Sequence, residues 1–167
     1  LDNSGGALRH TGAAPATFTV DGVLHQEKGS IDSASSLALR AGQISGAGGV
    51  LNVTGDLDVR SGATSAAQAS WRVGGDARID TGDLDVSGGA ISVGGALALS
   101  AFNLDNTGGK LVAGAAASIR TGGVLDNTRG LIQAQGGFDV GVDGQLRNSA
   151  GTLEALGGRA TFALRAA

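Results

Sequence analysis

Ile44-Ser45-Gly46-Ala47-Gly48-Gly49-Val50-Leu51-Asn52-Val53-Thr54-Gly55-Asp56-Leu57-Asp58-Val59-Arg60-Ser61-Gly62-Ala63 is one period of this chain. Its large aliphatics include Ile44, Leu51, Leu57 and Val59. Leu57-Asp58-Val59 alternates apolar and charged, the period of a strand with one buried face. Gly49, Gly55 and Gly62 separate the apolar segments. Glycine is the residue for a sharp turn or a positive φ. The segment therefore reads as three short strands joined by three glycine-marked corners, which is a triangular coil.

The same pattern extends in both directions. Leu1, Leu24, Ile44, Thr64, Leu84, Leu104, Leu125 and Leu146 align at spacings of 23, 20, 20, 20, 20, 21 and 21. Counting from each of these, the seventh residue is Leu8, Ile31, Leu51, Trp71, Ile91, Leu111, Ile132 or Leu153. The fifteenth, in the middle six coils, is Leu39, Val59, Ile79, Leu99, Ile119 or Val140. Two residues before these stand Leu37, Leu57, Ala77, Leu97, Ala117 and Phe138. The outer coils carry Phe18/Val20 and Phe162/Leu164 as the equivalent pair, displaced by a few residues. Sustained self-similarity near 20 residues marks a stacked repeat. The expected fold is all-β: a right-handed parallel β-helix (β-solenoid) of about eight triangular coils. Strands stacked ~4.8 Å apart make a rod roughly 40 Å long, and the hand follows the preference for right-handed parallel crossovers.

Composition agrees. The chain has 167 residues with 31 Gly, 1 Pro, no Cys and 3% aromatics. That much glycine opposes long helices. At 41% apolar and 16% charged, the chain is not expected to be disordered. A net charge of −3 lacks the basic footprint of nucleic-acid binding. There is no apolar run near 18 residues, so no membrane span is expected. Residues 1–167 read as a single repeat segment, a piece of a longer fibrous protein. It opens inside the motif Leu1-Asp2-Asn3, and neither end shows a polar capping segment.

That motif recurs at one corner as Leu1-Asp2-Asn3-Ser4-Gly5-Gly6, Leu104-Asp105-Asn106-Thr107-Gly108-Gly109, Leu125-Asp126-Asn127-Thr128-Arg129-Gly130 and Leu146-Arg147-Asn148-Ser149-Ala150-Gly151. Coils three to five instead carry Gly46, Ala66 and Val86 at the Asn position. The L-x-N-[ST]-x-G corner on this period resembles the repeats of filamentous haemagglutinins. Stalks of contact-dependent growth-inhibition effectors share those repeats. The resemblance implies a fibrous adhesin or effector at the extracellular surface of a Gram-negative bacterium. It implies two-partner secretion, with an outer-membrane transporter as partner and a host or target-cell receptor or glycan as a further one. In such a fibre most coils act as rigid stalk.

No enzyme, cofactor or metal is expected, and no catalytic, cofactor-binding or metal residues are assigned. The strongest acidic cluster is Asp56, Asp58, Asp76, Asp80, Asp83 and Asp85. Alternation points these outward, and no long loop walls a cleft around them. Asp85, Asp105 and Asp126 form a column, but the nonapeptides of a calcium roll are missing. Arg40, Arg60, Arg120 and Arg165 read as an outward basic column, interrupted by Asp80, Ser100 and Gly141. It suits either an edge defended against sideways pairing or a contact with sulfated glycans or lipid headgroups. His10 and His25 have no ligand partner at binding spacing. Trp71 is expected to point inward, and Asn106, Asn127 and Asn148 to hydrogen-bond along the stack. A carbohydrate-binding patch and a polysaccharide-active enzyme are the alternatives to a stalk.

Overall fold

Each apolar column becomes a strand because its neighbours alternate in and out of a shared core. The structure, a computed structural model, describes residues 1–165. Every strand pairs in parallel with its equivalent in the next coil, and the described residues contain no helix. One sheet holds eight four-residue strands, Ala7–His10, Ser30–Ser33, Val50–Val53, Ser70–Val73, Ala90–Val93, Lys110–Ala113, Leu131–Ala134 and Thr152–Ala155, stacked in chain order. The period read from the sequence is the register observed. Leu51 sits opposite Ile31 and Trp71, and Val59 opposite Leu39 and Ile79. The result is a β-solenoid of about eight turns.

The second sheet differs from three separate sides. In the 20-residue coils the third and first apolar segments form one nine-residue strand, as in Leu37–Ser45, Leu57–Ser65, Ala77–Asp85 and Leu97–Asp105. The glycine column Gly42, Gly62 and Gly82 bends this strand without interrupting it. In the 21-residue coils the extra residue breaks it. Ala117–Thr121 is separated from Val124–Asp126 by Gly122-Gly123, and Phe138–Val142 from Gln145–Arg147 by Asp143-Gly144. The first coil takes an extra residue at the same corner as a bulge within the continuous strand Ala16–His25, so it is the Gly122-Gly123 and Asp143-Gly144 corners that break the strand.

The core is a single column of aliphatic layers from Ala16 to Val142. Trp71 lies inside it at 5% exposure, in a coil whose buried positions also include the smaller Thr64 and Ala77. Constant packing density requires such compensation when a layer takes a large ring.

The end coils depart from the expected register in the same way. Phe18 pairs with Leu39 and Phe162 with Val140, so each occupies the fifteenth position, not the thirteenth. The thirteenth is filled by Ala16 and Ala160. Two of the first coil's three surplus residues lie in the Thr11–Pro15 turn. The third is a bulge between Val20 and Val23. The last coil's surplus lies between Ala155 and Ala160.

Positive φ also falls elsewhere than at the glycine column of the first corner. It occurs one residue earlier, at Gly5, Lys28, Gly48, Gln68, Gly88, Gly108, Arg129 and Ala150. The Gly column itself is fixed by close approach. A Cβ on Gly130 would stand 2.2 Å from the Asn106 carbonyl oxygen, and one on Gly151 1.9 Å from that of Asn127.

Candidate functional site

Two kinds of place could carry chemistry on this rod: the corners, where polar side chains collect, and the outer faces of the sheets. At the first corner the Asn side chains point inward. Asn106 and Asn127 are fully buried. Asn106 Nδ2 donates to Asn127 Oδ1 at 2.6 Å, and Asn127 Nδ2 to Asn148 Oδ1 at 2.7 Å. The same amide nitrogens donate to the Leu131 and Thr152 carbonyls. Asn3 repeats the arrangement, with Gln26 accepting in place of Asn. The ladder stops against Gly46, Ala66 and Val86. Gln26 Nε2 and Asn106 Oδ1, at the two borders of that gap, are buried without partners.

The Asp that follows the leading Leu of a coil has its own task. Asp2, Asp85, Asp105 and Asp126 each accept the backbone N–H two residues on. This Asx turn closes the corner locally. The Thr128 hydrogen bonds, with Arg147 nearby, hold the Asp126 carboxyl below the usual range. The column considered for calcium is thus engaged with its own turns. Among the described residues, no three His, Cys, Asp or Glu side chains gather at metal-binding spacing.

The second corner holds a ladder that apolar periodicity did not reveal. Ser36 Oγ accepts the Asp56 N–H at 3.0 Å, Asp56 Oδ1 the Asp76 N–H at 2.9 Å, and Asp76 Oδ1 the Ala96 N–H at 2.8 Å. At the third corner Asn103 donates to Asp83 and accepts the Val124 N–H. Taken in order, every junction between consecutive coils is crossed by a side-chain hydrogen bond. These three sets cross the first corner in coils one and two, the second in coils two to five, the third in coils four to six, and the first again in coils six to eight; Ser45 to Glu27 adds a bond at the first corner of coils two and three, and Ser61 to Thr81 one at the third corner of coils three and four. The signal available in the sequence was the 20-residue recurrence of short polar residues at Ser36, Asp56 and Asp76.

The outer face of the longer strands forms a shallow groove along the rod, about 730 Å³, touching coils two to eight. Ala96, Ala98, Ala116 and Ser118 line its middle, with Asp56, Asp58, Asp76 and Arg78 toward one end and Asp139 and Arg159 toward the other. Of the six acidic candidates, the structure brings Asp56, Asp58 and Asp76 into this groove. Asp80 lies beside it with Arg78 and Arg120, while Asp83 and Asp85 belong to other parts of the coil. Asp58 accepts from both terminal guanidinium nitrogens of Arg40, at 3.1 and 2.9 Å, with Arg60 at 3.6 Å. Those bonds, Arg40's foremost, lower its pKa.

The basic column is real for Arg40, Arg60 and Arg120, which share one register position. Arg165 is not in it, because Ala163 takes that position opposite Gly141. Arg120 is paired with Asp139. The column is therefore largely neutralised by carboxylates one register row away. His10 Nδ1 lies 3.3 Å from Ser33 Oγ, and His25 lies 3.7 Å from Glu27. Gly46-Ala47-Gly48-Gly49 forms a coil corner followed by the strand Val50–Val53. Phe102, which the glycine-dominated column concealed, is 61% exposed at the third corner, next to Gly122 and Gly123. Comparison with known proteins returns no family model, no curated protein and no solved structure that matches this chain.

Proposed function

We propose that the chain is a stalk segment of a secreted bacterial surface fibre, an adhesin or a contact-dependent inhibition effector. In this reading it extends or presents binding regions away from the outer membrane. The observation that carries the reading is the use made of the polar side chains. At the corners they are spent on coil-to-coil and turn-closing hydrogen bonds, leaving a regular rod of nearest-neighbour contacts. The L-x-N-[ST]-x-G corner supports the fibre class, since its Asn and Gly are locked together in this fold. Export then proceeds through a dedicated outer-membrane transporter, and the segment is displayed outside a Gram-negative cell. The test is surface display of the chain, joined to a two-partner secretion signal and co-expressed with its transporter. Protease-accessible, folded segment on intact cells is expected; retention in the periplasm despite a competent transporter defeats the reading.

The groove favours a second reading, a carbohydrate-binding patch on the same fibre. Its carboxylates and Arg78 offer acceptors and donors to hydroxyls along an extended ligand. A glycan array separates the two: a stalk binds nothing above background, whereas a patch gives a saturable hit weakened by Asp76→Ala.

A further inference from the structure

We propose that the third corner around Phe102, with the acidic face beside it, is a docking site for a basic segment of a partner protein, an arginine or lysine side chain of that segment seating on the Phe102 ring. The inference goes beyond the stalk reading and rests on residues of coils four to seven, in the interior of the rod.

The ring is held open to solvent by its neighbours. The corner column reads Gly42, Gly62, Gly82, Phe102, Gly122 and Asp143, so one aromatic stands in a row of glycines. Phe102 is 61% exposed. A Cβ on Gly122 would stand 3.2 Å from Phe102 Cδ2, and one on Gly123 3.3 Å from Cε1. The ring therefore lies across both glycines, where no side chain could share the space. On the opposite side Gly82 has no side chain with which to cover it. The Gly122 and Gly123 N–H groups already donate to the Ala101 and Phe102 carbonyls, at 3.2 and 2.7 Å, so the corner backbone is paired without help from the ring. What the ring adds is an aromatic face, whose negative quadrupole attracts a cation.

Carboxylates set the sign of the ligand. Segments 42–45, 62–65, 82–85, 102–105 and 122–126 run along this side of the rod. They contain Asp83, Asp85, Asp105 and Asp126 but no Lys or Arg. Asp83 accepts from Asn103, the residue after Phe102. Asp105 sits opposite both Asp85 and Asp126 in the register, so three like charges stack at successive coils, ~4.8 Å apart. Like charges placed directly opposite destabilise a sheet. Arg147, 3.7 Å from Asp126, relieves one end of this column. Asp83, Asp85 and Asp105 form no ion pair among the described residues. A basic segment laid on the face would neutralise the column, and its arginine or lysine stem would cover the ring. An anionic ligand would be repelled, and an uncharged one would leave the repulsion in place.

The test is fluorescence anisotropy of a labelled oligo-arginine peptide titrated with the 167-residue chain. Saturable binding that weakens as salt is raised is expected. Phe102→Ala and Phe102→Leu should each weaken it about two- to fivefold, the worth of an exposed cation–π contact, and Phe102→Trp should strengthen it. Asp105→Asn should weaken binding too, since Asn keeps the Asx turn and removes only the charge. Asp56→Asn, at the second corner, should leave it unchanged. Thermal unfolding of each variant separates lost binding from lost fold. Absence of saturable binding overturns the proposal, as does equal weakening by Asp56→Asn and Asp105→Asn, which would mark a general acidic surface. A Phe102→Ala chain that melts earlier but binds the peptide as the parent does would reduce the ring to a cover for Gly122-Gly123. Saturable binding of an uncharged oligosaccharide in place of the peptide, lost in Phe102→Ala, would assign the ring to a sugar and equally overturn the proposal. None of these outcomes decides whether the chain is displayed on a cell surface, so the stalk reading stands or falls separately.

Discussion

Asn127 shows what a single residue contributes to a stacked fold. Its amide group is fully buried, accepts from Asn106, and donates to Asn148 and the Thr152 carbonyl. Leucine there would fill the space but leave Asn106 Nδ2 and the Thr152 carbonyl without these partners. A buried polar group left unpaired costs about 1–3 kcal/mol. Asn127→Leu is accordingly expected to lower stability by about that amount in urea denaturation. Equal midpoints for the parent, Asn127→Leu and Asn127→Ser would show that the ladder contributes nothing. The neighbouring glycine is tied to the same group, because a Cβ on Gly130 would meet Asn127 Oδ1 at 2.5 Å and Asn106 O at 2.2 Å. Asn and Gly recur together in L-x-N-[ST]-x-G because each occupies space that the other leaves. The positive-φ position between them tolerates Lys28, Gln68, Arg129 and Ala150, so it left no consistent mark in the sequence.

At the scale of the strand, one extra residue at the third corner is either absorbed as a bulge, as in Ala16–His25, or breaks the strand, as in the 21-residue coils. Gly122-Gly123 replaces a single corner glycine such as Gly82, and the strand breaks there. Deleting Gly122 should convert its coil to the 20-residue type and join Ala117–Thr121 to Val124–Asp126, with little loss of stability. Deleting Gly82 removes a residue from a coil with none to spare, and a one-residue slip turns the following side chains to the wrong face. Soluble expression and thermal unfolding of the two deletions should therefore differ sharply; similar behaviour would refute the link between the extra residue and the broken strand. This explains which parts of the fold were legible beforehand. Columns such as Leu51/Trp71/Ile91 are visible because burial allows only large apolar residues. The register of Phe18 and Phe162 was misread by two positions because small Ala16 and Ala160 hold the expected column at the ends. The Asn ladder could be read from identical residues at one spacing. The Ser36–Asp56–Asp76 ladder left only a weaker signal, the spacing of short polar residues, because its acceptors differ in type and the donors are backbone. Arg165 was misplaced for the same reason as Phe162.

For the whole rod, acid is the informative perturbation. Hydrogen bonds from Ser4, Arg40, Thr128 and Arg120 are the largest influences lowering the pKa values of Asp2, Asp58, Asp126 and Asp139, respectively. A carboxylate whose folded pKa lies below its unfolded value stabilises the fold fully above the unfolded pKa, about 3.9 for Asp. That stability is lost as pH falls through the folded values. Urea midpoints should thus be level near neutrality and decline below about pH 4; a midpoint that rises on acidification would contradict the role given to these aspartates. The relay of side-chain pins has a mechanical consequence as well. Under a bending load every junction has at least one side-chain hydrogen bond resisting its opening, and most have more than one. Because these bonds sit at different corners at different heights, no one side of the rod is left without them throughout. No single plane of flexure avoids them all, and the rod has no built-in hinge line along its length.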